Sequence, residues 1–291
     1  LKVIIHVFLI NTIDENGQKP YIIFIIHDSK FHKKDEKESV NFIRCDKAKP
    51  NIVIILADDL GFDDVSFRRS DWVITKNIDA LAYNGIILNR FYTANMCSPS
   101  RASLLTGKFT LNTGIQVALS HVLNFGLPEK EILMPEIFRN NNYSTSLVGK
   151  WHLGSSKKTY LPTSRGFDEF YGYLGGWITY FNYTYTIPTK NYTFTGYDSR
   201  DGLSPTISKK GQYATDVYTE KSVEIINQSA LRNKPFFLML SHLTPHNPLE
   251  APDEIMQKFN YIKDLDRRKY AAMLHTLDES VGKVVKALSD P

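Results

Sequence analysis

Apolar residues in this chain cluster in short runs, and one longer stretch shows helical spacing. Residues 49–57 and 234–242 are rich in Val, Ile, Leu and Phe, which is typical of strands buried on both faces of a parallel sheet. Residues 143–147 form a further strand-like run before a glycine. Between residues 270 and 288 apolar positions recur at spacings of three and four, which predicts a helix with one buried face. The pattern predicts an α/β fold.

Two acidic residues, Asp58 and Asp59, follow the first of these predicted strands directly. Ligands of open α/β sheets bind at the carboxyl ends of the strands. Paired aspartate oxygens suit a hard divalent cation. A helix N-cap followed by an acidic first turn is the alternative interpretation of the same dipeptide. The sequence therefore offers Asp58 and Asp59 as candidate metal ligands.

A cysteine opens the segment C-S-P-S-R at residues 97–101, which is followed by A-S-L-L-T-G. Pro99 suits the first position of a helix, Ser98 its N-cap and Gly107 its end. Cys97 is therefore expected just before a short helix. An anion held there would meet free backbone N–H groups and the positive end of the helix dipole.

Lys150 and His152 alternate in the segment G-K-W-H-L-G, which follows the strand-like run at residues 143–147. On an extended backbone, residues two apart point to the same face. The ammonium and the imidazole are therefore expected to face one site. Taken singly, a histidine is more often structural and a lysine more often a solvated charge.

In combination these motifs resemble those of the sulfatase family. The segment at residues 97–107 is similar to the family signature, G-K-W-H to a second motif, and H-N-P at residues 246–248 to a third. The third motif selects His246, whereas His242 is expected to be embedded in the strand. The resemblance covers about residues 48–290 and is greatest to the arylsulfatase B, or N-acetylgalactosamine-4-sulfatase, type.

The resemblance implies an alkaline-phosphatase-like sulfatase fold, with a mixed, mostly parallel central sheet and helices on both faces. It also implies that a formylglycine-generating enzyme oxidises Cys97 to formylglycine, the nucleophile in hydrolysis of aryl sulfates or sulfated sugars. One Ca²⁺ ion would be held by Asp58, Asp59 and the modified Cys97. A cysteine precursor is diagnostic because a serine has no second hydroxyl with which to expel the sulfate.

The remaining catalytic roles are also implied by the resemblance. Arg101 would anchor the hydrated aldehyde through its permanent charge. Lys150 and His246 would contact the sulfate or the leaving oxygen. His152 would help to deprotonate the second hydroxyl and so restore the aldehyde.

Both ends of the sequence depart from the family pattern. Residues 1–47 do not match it and are interpreted as an atypical N-terminal extension or leader remnant, ahead of a catalytic portion at residues 48–291. In the family a second half of the metal site, an Asp-Asn or Asp-His pair, lies beyond the helix in which this sequence ends. The expectation is a truncated catalytic domain with its C-terminal part missing, incomplete metal ligation and an open hydrophobic sheet edge.

Composition sets broader limits. With 291 residues, 42% hydrophobic and 23% charged, the chain can bury a large core. The net charge of +4 is mild, and basic residues are dispersed among acidic ones, so no nucleic-acid partner is expected. The apolar runs near the N-terminus are too short to span a bilayer, so no stable membrane span is expected.

Cysteines and glycosylation sequons bear on the compartment. The two cysteines, Cys45 and Cys97, make a disulfide framework implausible. Asn-x-Ser/Thr sequons would carry glycans in the secretory pathway where they are exposed. Together with the resemblance they predict a lysosomal or secreted glycoprotein. The sequons begin at Asn142, Asn182, Asn191 and Asn227.

Two other classes of function stay open. The chain could be a catalytically inactive sulfatase-like protein that binds sulfated glycans through a basic pocket; the missing half-site favours this class, and the intact C-S-P-S-R segment favours an enzyme. A phosphodiesterase or phosphatase on the same scaffold is the other class. It normally uses Thr or Ser as the nucleophile, so Cys97 argues against it.

Overall fold

The chain alternates strands and helices around one large sheet. The computed structural model describes residues 3–10, 49–68, 70–88, 91–121, 123–188, 192–232 and 234–289. The strands are β1 (Val3–Ile10), β2 (Asn51–Asp58), β3 (Ser144–Lys150), β4 (Glu169–Tyr173), β5 (Thr184–Pro188), β6 (Thr193–Tyr197), β7 (Arg200–Asp201), β8 (Ser204–Pro205) and β9 (Phe236–Ser241). The helices are α1 (Lys76–Asn84), α2 (Cys97–Thr106), α3 (Thr110–Thr113), α4 (Met134–Asn140), α5 (Ala214–Leu231), α6 (Asp253–Gln257) and α7 (Leu265–Ser289).

The large sheet has seven strands in the order β1–β2–β9–β3–β4–β7–β8. Neighbours from β1 to β4 are parallel, whereas β7 is antiparallel to both β4 and β8. The two apolar runs predicted as central parallel strands are the adjacent strands β2 and β9, which confirms that prediction. The outermost strands of the sheet are β1 on one side and β8 on the other.

Alternate residues of the central strands enter two separate hydrophobic cores. Val53 and Ile55 of β2 belong to the core formed with α1, α5 and α7. Ile54 and Leu56 belong to the core formed with α2 and the segment before α4. Strands buried on both faces need apolar residues at successive positions, which explains the continuous runs. The mixed, mostly parallel sheet with helices on both faces is as predicted.

The predicted C-terminal helix is present as α7, and its apolar stripe is buried against the sheet and α5. The short helix α2 differs at its start from the prediction. It begins at Cys97, with Met96 as the extended residue before it, and Ser98 does not cap it. Instead the Ser98 hydroxyl accepts a hydrogen bond from the Leu119 backbone N–H. Gly107 ends the helix in the left-handed conformation at φ 68°, as predicted.

Candidate active site

A buried cluster of opposite charges lies at the carboxyl end of the sheet. Asp58 is the last residue of β2 and is fully buried. Its Oδ2 lies 2.5 Å from Nζ of Lys150, the last residue of β3, and its Oδ1 lies 3.5 Å from Nη2 of Arg101 in α2. Burial alone would raise the pKa of Asp58, but the two cations outweigh it and hold that pKa well below its usual range. Three elements far apart in sequence thus meet at one ionised carboxylate.

Arg101 is held in place by the strand ends. Its Nη1 donates to the backbone oxygen of Lys150 at 3.0 Å and to the Ser241 hydroxyl at 2.5 Å. The same hydroxyl donates to the Lys150 oxygen at 2.8 Å. A Cβ on Gly149 would lie 2.0 Å from the Ser241 oxygen, and Gly149 has φ 102°. Only glycine therefore permits this close approach of β3 and β9 beneath the arginine.

Cys97 is the first residue of α2 and lies one helical turn before Arg101. Residues four apart lie on the same face of a helix, so Cys97 shares the face from which Arg101 reaches Asp58. Its thiol is free, and the residue is 8% exposed. This position places the buried Cys97 at a fixed distance along the helix from a buried cation.

His152 is buried beside the cluster, but for a different reason from the one predicted. Strand β3 ends at Lys150, and His152 has φ 57°, so the extended alternation does not continue to it. Its Nε2 lies 2.7 Å from the Leu119 carbonyl oxygen. Burial and the charges of Lys150 and Arg101 lower its pKa well below the usual value. Because a carbonyl can only accept, the neutral ring carries its proton on Nε2, and the buried Nδ1 makes no hydrogen bond.

Asp59 and His246 form a second, more exposed pair next to Asp58. Asp59 has φ 62°, and its Oδ2 lies 3.5 Å from Nε2 of His246. The side chains are 31% and 19% exposed, respectively. His246 Nδ1 lies 2.5 Å from the backbone oxygen of Asn247. The contacts thus link His246 to the predicted metal ligands.

His242, which is expected to be embedded in the strand, lies apart from this charged cluster. It follows β9 directly, is fully buried, and its Nε2 lies 2.8 Å from the Ser280 hydroxyl of α7. Burial lowers the pKa of His242 to about 3. Its surroundings are those of a structural histidine between the sheet and α7.

The donor set for a cation is partial. Asp58 Oδ1 is buried and accepts no hydrogen bond, and Asp59 lies at the adjacent position. Ca²⁺ takes six to eight oxygen ligands, and two carboxylates supply only some of them. Within the described ranges, no group of three or more His, Cys, Asp or Glu side chains is close enough to hold a metal ion. The two aspartates fit one part of a calcium site.

Three of the four predicted glycosylation sites lie on the surface. Asn142, Asn182 and Asn227 are exposed, Asn227 on helix α5. Asn191 and Cys45 lie outside the described residues. The exposure is compatible with modification at the three described positions.

Residues outside the motifs connect the site. Leu119 joins α2 to His152 through its N–H and its carbonyl, and Ser241 joins Arg101 to the backbone of β3. Leu119 acts through backbone groups, so its side chain leaves no sequence signal. Ser241 is an ordinary polar residue at the end of an apolar run. Neither could be identified without the three-dimensional contacts.

Known proteins with similar sequences and folds define the class of this chain. The sequence profile of the sulfatase family matches residues 50–291. Arylsulfatase J of Mus musculus is 35% identical over 243 residues, which are 83% of this chain and 40% of that protein. N-acetylgalactosamine-6-sulfatase of Mus musculus is 31% identical over 268 residues, covering 83% of this chain and 47% of that protein.

A solved structure agrees with these sequence relatives. The crystal structure of Ps i-CgsB in complex with k-i-k-neocarrahexaose superimposes with a TM-score of 0.68 at 35% identity, covering 83% of this chain and 55% of that one. The chain therefore belongs to the sulfatase family and has its alkaline-phosphatase-like fold. It spans less than half the length of the two mouse relatives. These relatives do not single out the arylsulfatase B type.

No helix in the described part of the chain is both long enough and apolar enough to cross a bilayer.

Proposed function

We propose that this chain carries the nucleophile-bearing part of a sulfuric ester hydrolase that acts on aryl sulfates or sulfated sugars, with formylglycine derived from Cys97 as the nucleophile. The observation that carries the proposal is the position of Cys97, one helical turn before Arg101, whose guanidinium meets Lys150 and Asp58 in a buried cluster. Membership of the sulfatase family supports the same reaction class. Assignment to the arylsulfatase B type, from the motifs, is part of the proposal.

The side chains divide the work according to their charge and exposure. Arg101 and Lys150 are buried cations that would attract and orient the sulfate group. His152 is neutral, and its free Nδ1 can accept a proton from a hydroxyl at position 97. His246, at the more exposed edge, would contact the sulfate or the leaving oxygen. A substrate would enter from that edge.

Asp58 and Asp59 would hold part of the coordination shell of one Ca²⁺ ion. When bound, such an ion supplies charge compensation for the sulfate oxygens. The Oδ1 of Asp58 accepts no hydrogen bond, which supports this role. In the described contacts, Lys150 engages the other oxygen of Asp58, so the ammonium would share this carboxylate with the ion.

Modification and location belong to the same proposal. A formylglycine-generating enzyme would be the modifying partner of Cys97, and a sulfate ester the substrate. The exposed sequons at Asn142, Asn182 and Asn227 support passage through the secretory pathway to the lysosome or the cell exterior.

The test is coexpression with a formylglycine-generating enzyme, followed by mass spectrometry of the peptide that contains position 97 and an assay with a chromogenic aryl sulfate. We expect conversion of Cys97 to the aldehyde, and, where the second half of the metal site is also present, turnover that Cys97→Ala abolishes. Ser103→Ala, on the same helix, is the matched control and should retain both. A thiol that stays unmodified while a control sulfatase is converted would contradict the proposal. Conversion with glycan binding but no turnover would favour the inactive glycan-binding class.

A further inference from the structure

We propose that the rings of His121, Tyr185 and Trp177, called here the aromatic row, bind a sugar ring of a sulfated saccharide next to the reacting sulfate ester. This inference rests on the proposed function, because it names the substrate class of the same site. None of the three residues belongs to the motifs that suggested a sulfatase.

The aromatic row begins beside the candidate active site. Leu119 donates its N–H to the Ser98 hydroxyl at 3.0 Å, and its carbonyl oxygen lies 2.7 Å from His152 Nε2. Ser98 follows Cys97 directly. His121 is two residues beyond Leu119, so their Cα atoms are no more than about 7 Å apart, the reach of two extended residues. The segment that carries His121 therefore contacts both the helix of the nucleophile and the candidate base.

Two adjacent glycines lie against the two histidine rings, one against each. A Cβ on Gly176 would lie 2.9 Å from Cε1 of His152, and a Cβ on Gly175 would lie 1.8 Å from Nε2 of His121. Both distances are shorter than van der Waals contact. Gly176 thus packs against His152, and Gly175 packs against His121. Side chains at these two positions would collide with the two rings.

The rings are in mutual contact and partly open to solvent. The centroids of His121 and Tyr185 are 4.4 Å apart in an edge-to-face arrangement, and those of Tyr185 and Trp177 are 4.8 Å apart at a tilt of 53°. Tyr185 and Trp177 are half-buried, and the His121 side chain is 19% exposed. The three rings therefore form one contiguous, partly exposed cluster.

A buried carboxylate fixes the row in position. Asp198 Oδ2 accepts the Gly175 N–H at 2.8 Å and lies 3.0 Å from His121 Nε2. Burial would raise the pKa of Asp198, but His121 and the backbone donors outweigh burial and lower it. The carboxylate is therefore ionised and holds the glycine turn and the imidazole as one unit. Preorganised rings lose little conformational entropy when a ligand binds.

The chemistry of this surface fits a saccharide. Aromatic faces carry partial negative charge, and the C–H groups on the flat side of a pyranose carry partial positive charge, so the two stack. Because Asp198 holds His121 Nε2, a hydroxyl group of the same sugar would meet the Tyr185 phenol, which can both donate and accept a hydrogen bond. Ligand sites typically combine an aromatic lining with a few placed polar groups. A sugar sulfate could thus present its ester to Arg101 and Lys150 while its neighbouring ring covers the row.

The test compares Trp177→Ala and Trp177→Phe with the parent protein, each coexpressed with a formylglycine-generating enzyme. Calorimetry measures binding of a sulfated galactosamine-containing disaccharide, of its desulfated counterpart, and of inorganic sulfate. We expect Trp177→Ala to weaken both disaccharides about tenfold, as loss of one stacked ring does, while Trp177→Phe restores most of the affinity. Inorganic sulfate should bind equally to all three proteins. Tyr83→Ala, at an exposed aromatic residue of α1, is the matched control.

Steady-state kinetics separates the two proposals. With the disaccharide, Trp177→Ala should raise KM about tenfold with little change in kcat, and turnover of an aryl sulfate should change less than about twofold. Disaccharide binding that does not depend on Trp177 would overturn the subsite and leave the hydrolase proposal intact. An equal loss with the aryl sulfate would overturn the assignment to a sugar. Trp177-dependent disaccharide binding without turnover of any ester would support the subsite and contradict the hydrolase.

Discussion

Two buried aspartates, Asp58 and Asp278, have contrasting surroundings. Asp278 of α7 accepts the backbone N–H groups of Asn77 and Ile78 at 3.0 and 2.9 Å, and the Asn77 amide at 2.8 Å. Both of its oxygens therefore have partners, and it ties α7 to the start of α1. Asp58 instead faces two cations, and its Oδ1 accepts no hydrogen bond. Burial raises the pKa of Asp278, whereas the cations lower that of Asp58.

The difference distinguishes a structural cluster from a ligand site. Around Asp278 the hydrogen bonds are complete without any further group. Around Asp58, polar atoms of the neighbouring Arg101 and His152 are also buried without hydrogen bonds. Such atoms are costly unless a ligand, ion or water satisfies them. Buried phenol oxygens such as that of Tyr218 also lack partners, so it is the combination with opposed charges that marks the candidate site.

The largest expected effect comes from removing the charge of one aspartate and not the other. Asp58→Asn leaves Lys150 and Arg101 buried without their counter-ion, which should lower the free energy of unfolding by about 3–5 kcal/mol. Asp278→Asn keeps a hydrogen-bond acceptor for the start of α1, and should cost about 1–2 kcal/mol. Urea denaturation of both variants measures the difference. Equal losses would show that the cations do not depend on Asp58.

The surroundings of the two aspartates should also differ in their response to an added anion. If the Asp58 cluster binds ligands, inorganic sulfate should raise the unfolding midpoint of the parent protein, because a ligand that binds the folded state stabilises it. Asp278→Asn should retain this response, since Asp278 lies in the α1–α7 contact. Loss of the response in that variant would remove the distinction between the two regions.

A smaller effect concerns the buried histidines His152 and His242. Both have pKa values below the ordinary 6.5, that of His242 at about 3. The folded state keeps each ring neutral, whereas the unfolded chain takes up a proton below pH 6.5. Their contribution is therefore fully present above pH 6.5 and is lost as the pH falls toward the folded pKa. Each ring should remove about 1.4 kcal/mol of stability per pH unit in that window.

Urea denaturation between about pH 7 and about pH 4 measures the slope. His242→Asn should reduce this pH dependence of the free energy of unfolding by the contribution of one proton, because Asn does not titrate. An unchanged slope in that variant would mean that His242 is charged in the folded protein. Sulfate should raise the pKa of His152 in NMR titrations and leave His242 unaffected, because the contacts of His242 lie with Ser280 of α7.

The sequence could predict the strands and the motif residues because their signals are local. Continuous apolar runs are required wherever a strand is buried on both faces, as β2 and β9 are. Asp58 and Asp59 follow such a run directly, so their position in the sequence already predicts that they lie at the end of a strand. The position of Gly107 at the end of α2 was predicted from the same kind of local rule.

Contacts between distant residues could not be predicted in this way. The Leu119 carbonyl oxygen contacts His152 across 33 positions, and Gly175 lies against His121 because a glycine has no Cβ. The turn to positive φ at His152 broke the expected alternation with Lys150. Its ring is instead positioned by the loop at Leu119, which no spacing in the sequence indicates.

The smallest expected effect concerns Ser241, which positions Arg101. Its hydroxyl accepts from the Arg101 guanidinium and donates to the Lys150 backbone oxygen. Ser241→Ala leaves Arg101 Nη1 with its bond to that backbone oxygen, so the free energy of unfolding should fall by about 1 kcal/mol, the typical value of one hydrogen bond. Because the guanidinium would then be less well oriented, kcat for a sulfate ester should fall while the KM changes little. Ser241→Thr, which keeps the hydroxyl, should restore kcat if orientation of Arg101 is the cause, whereas equal kcat in the alanine variant and the parent protein would show that the backbone of β3 alone holds the arginine.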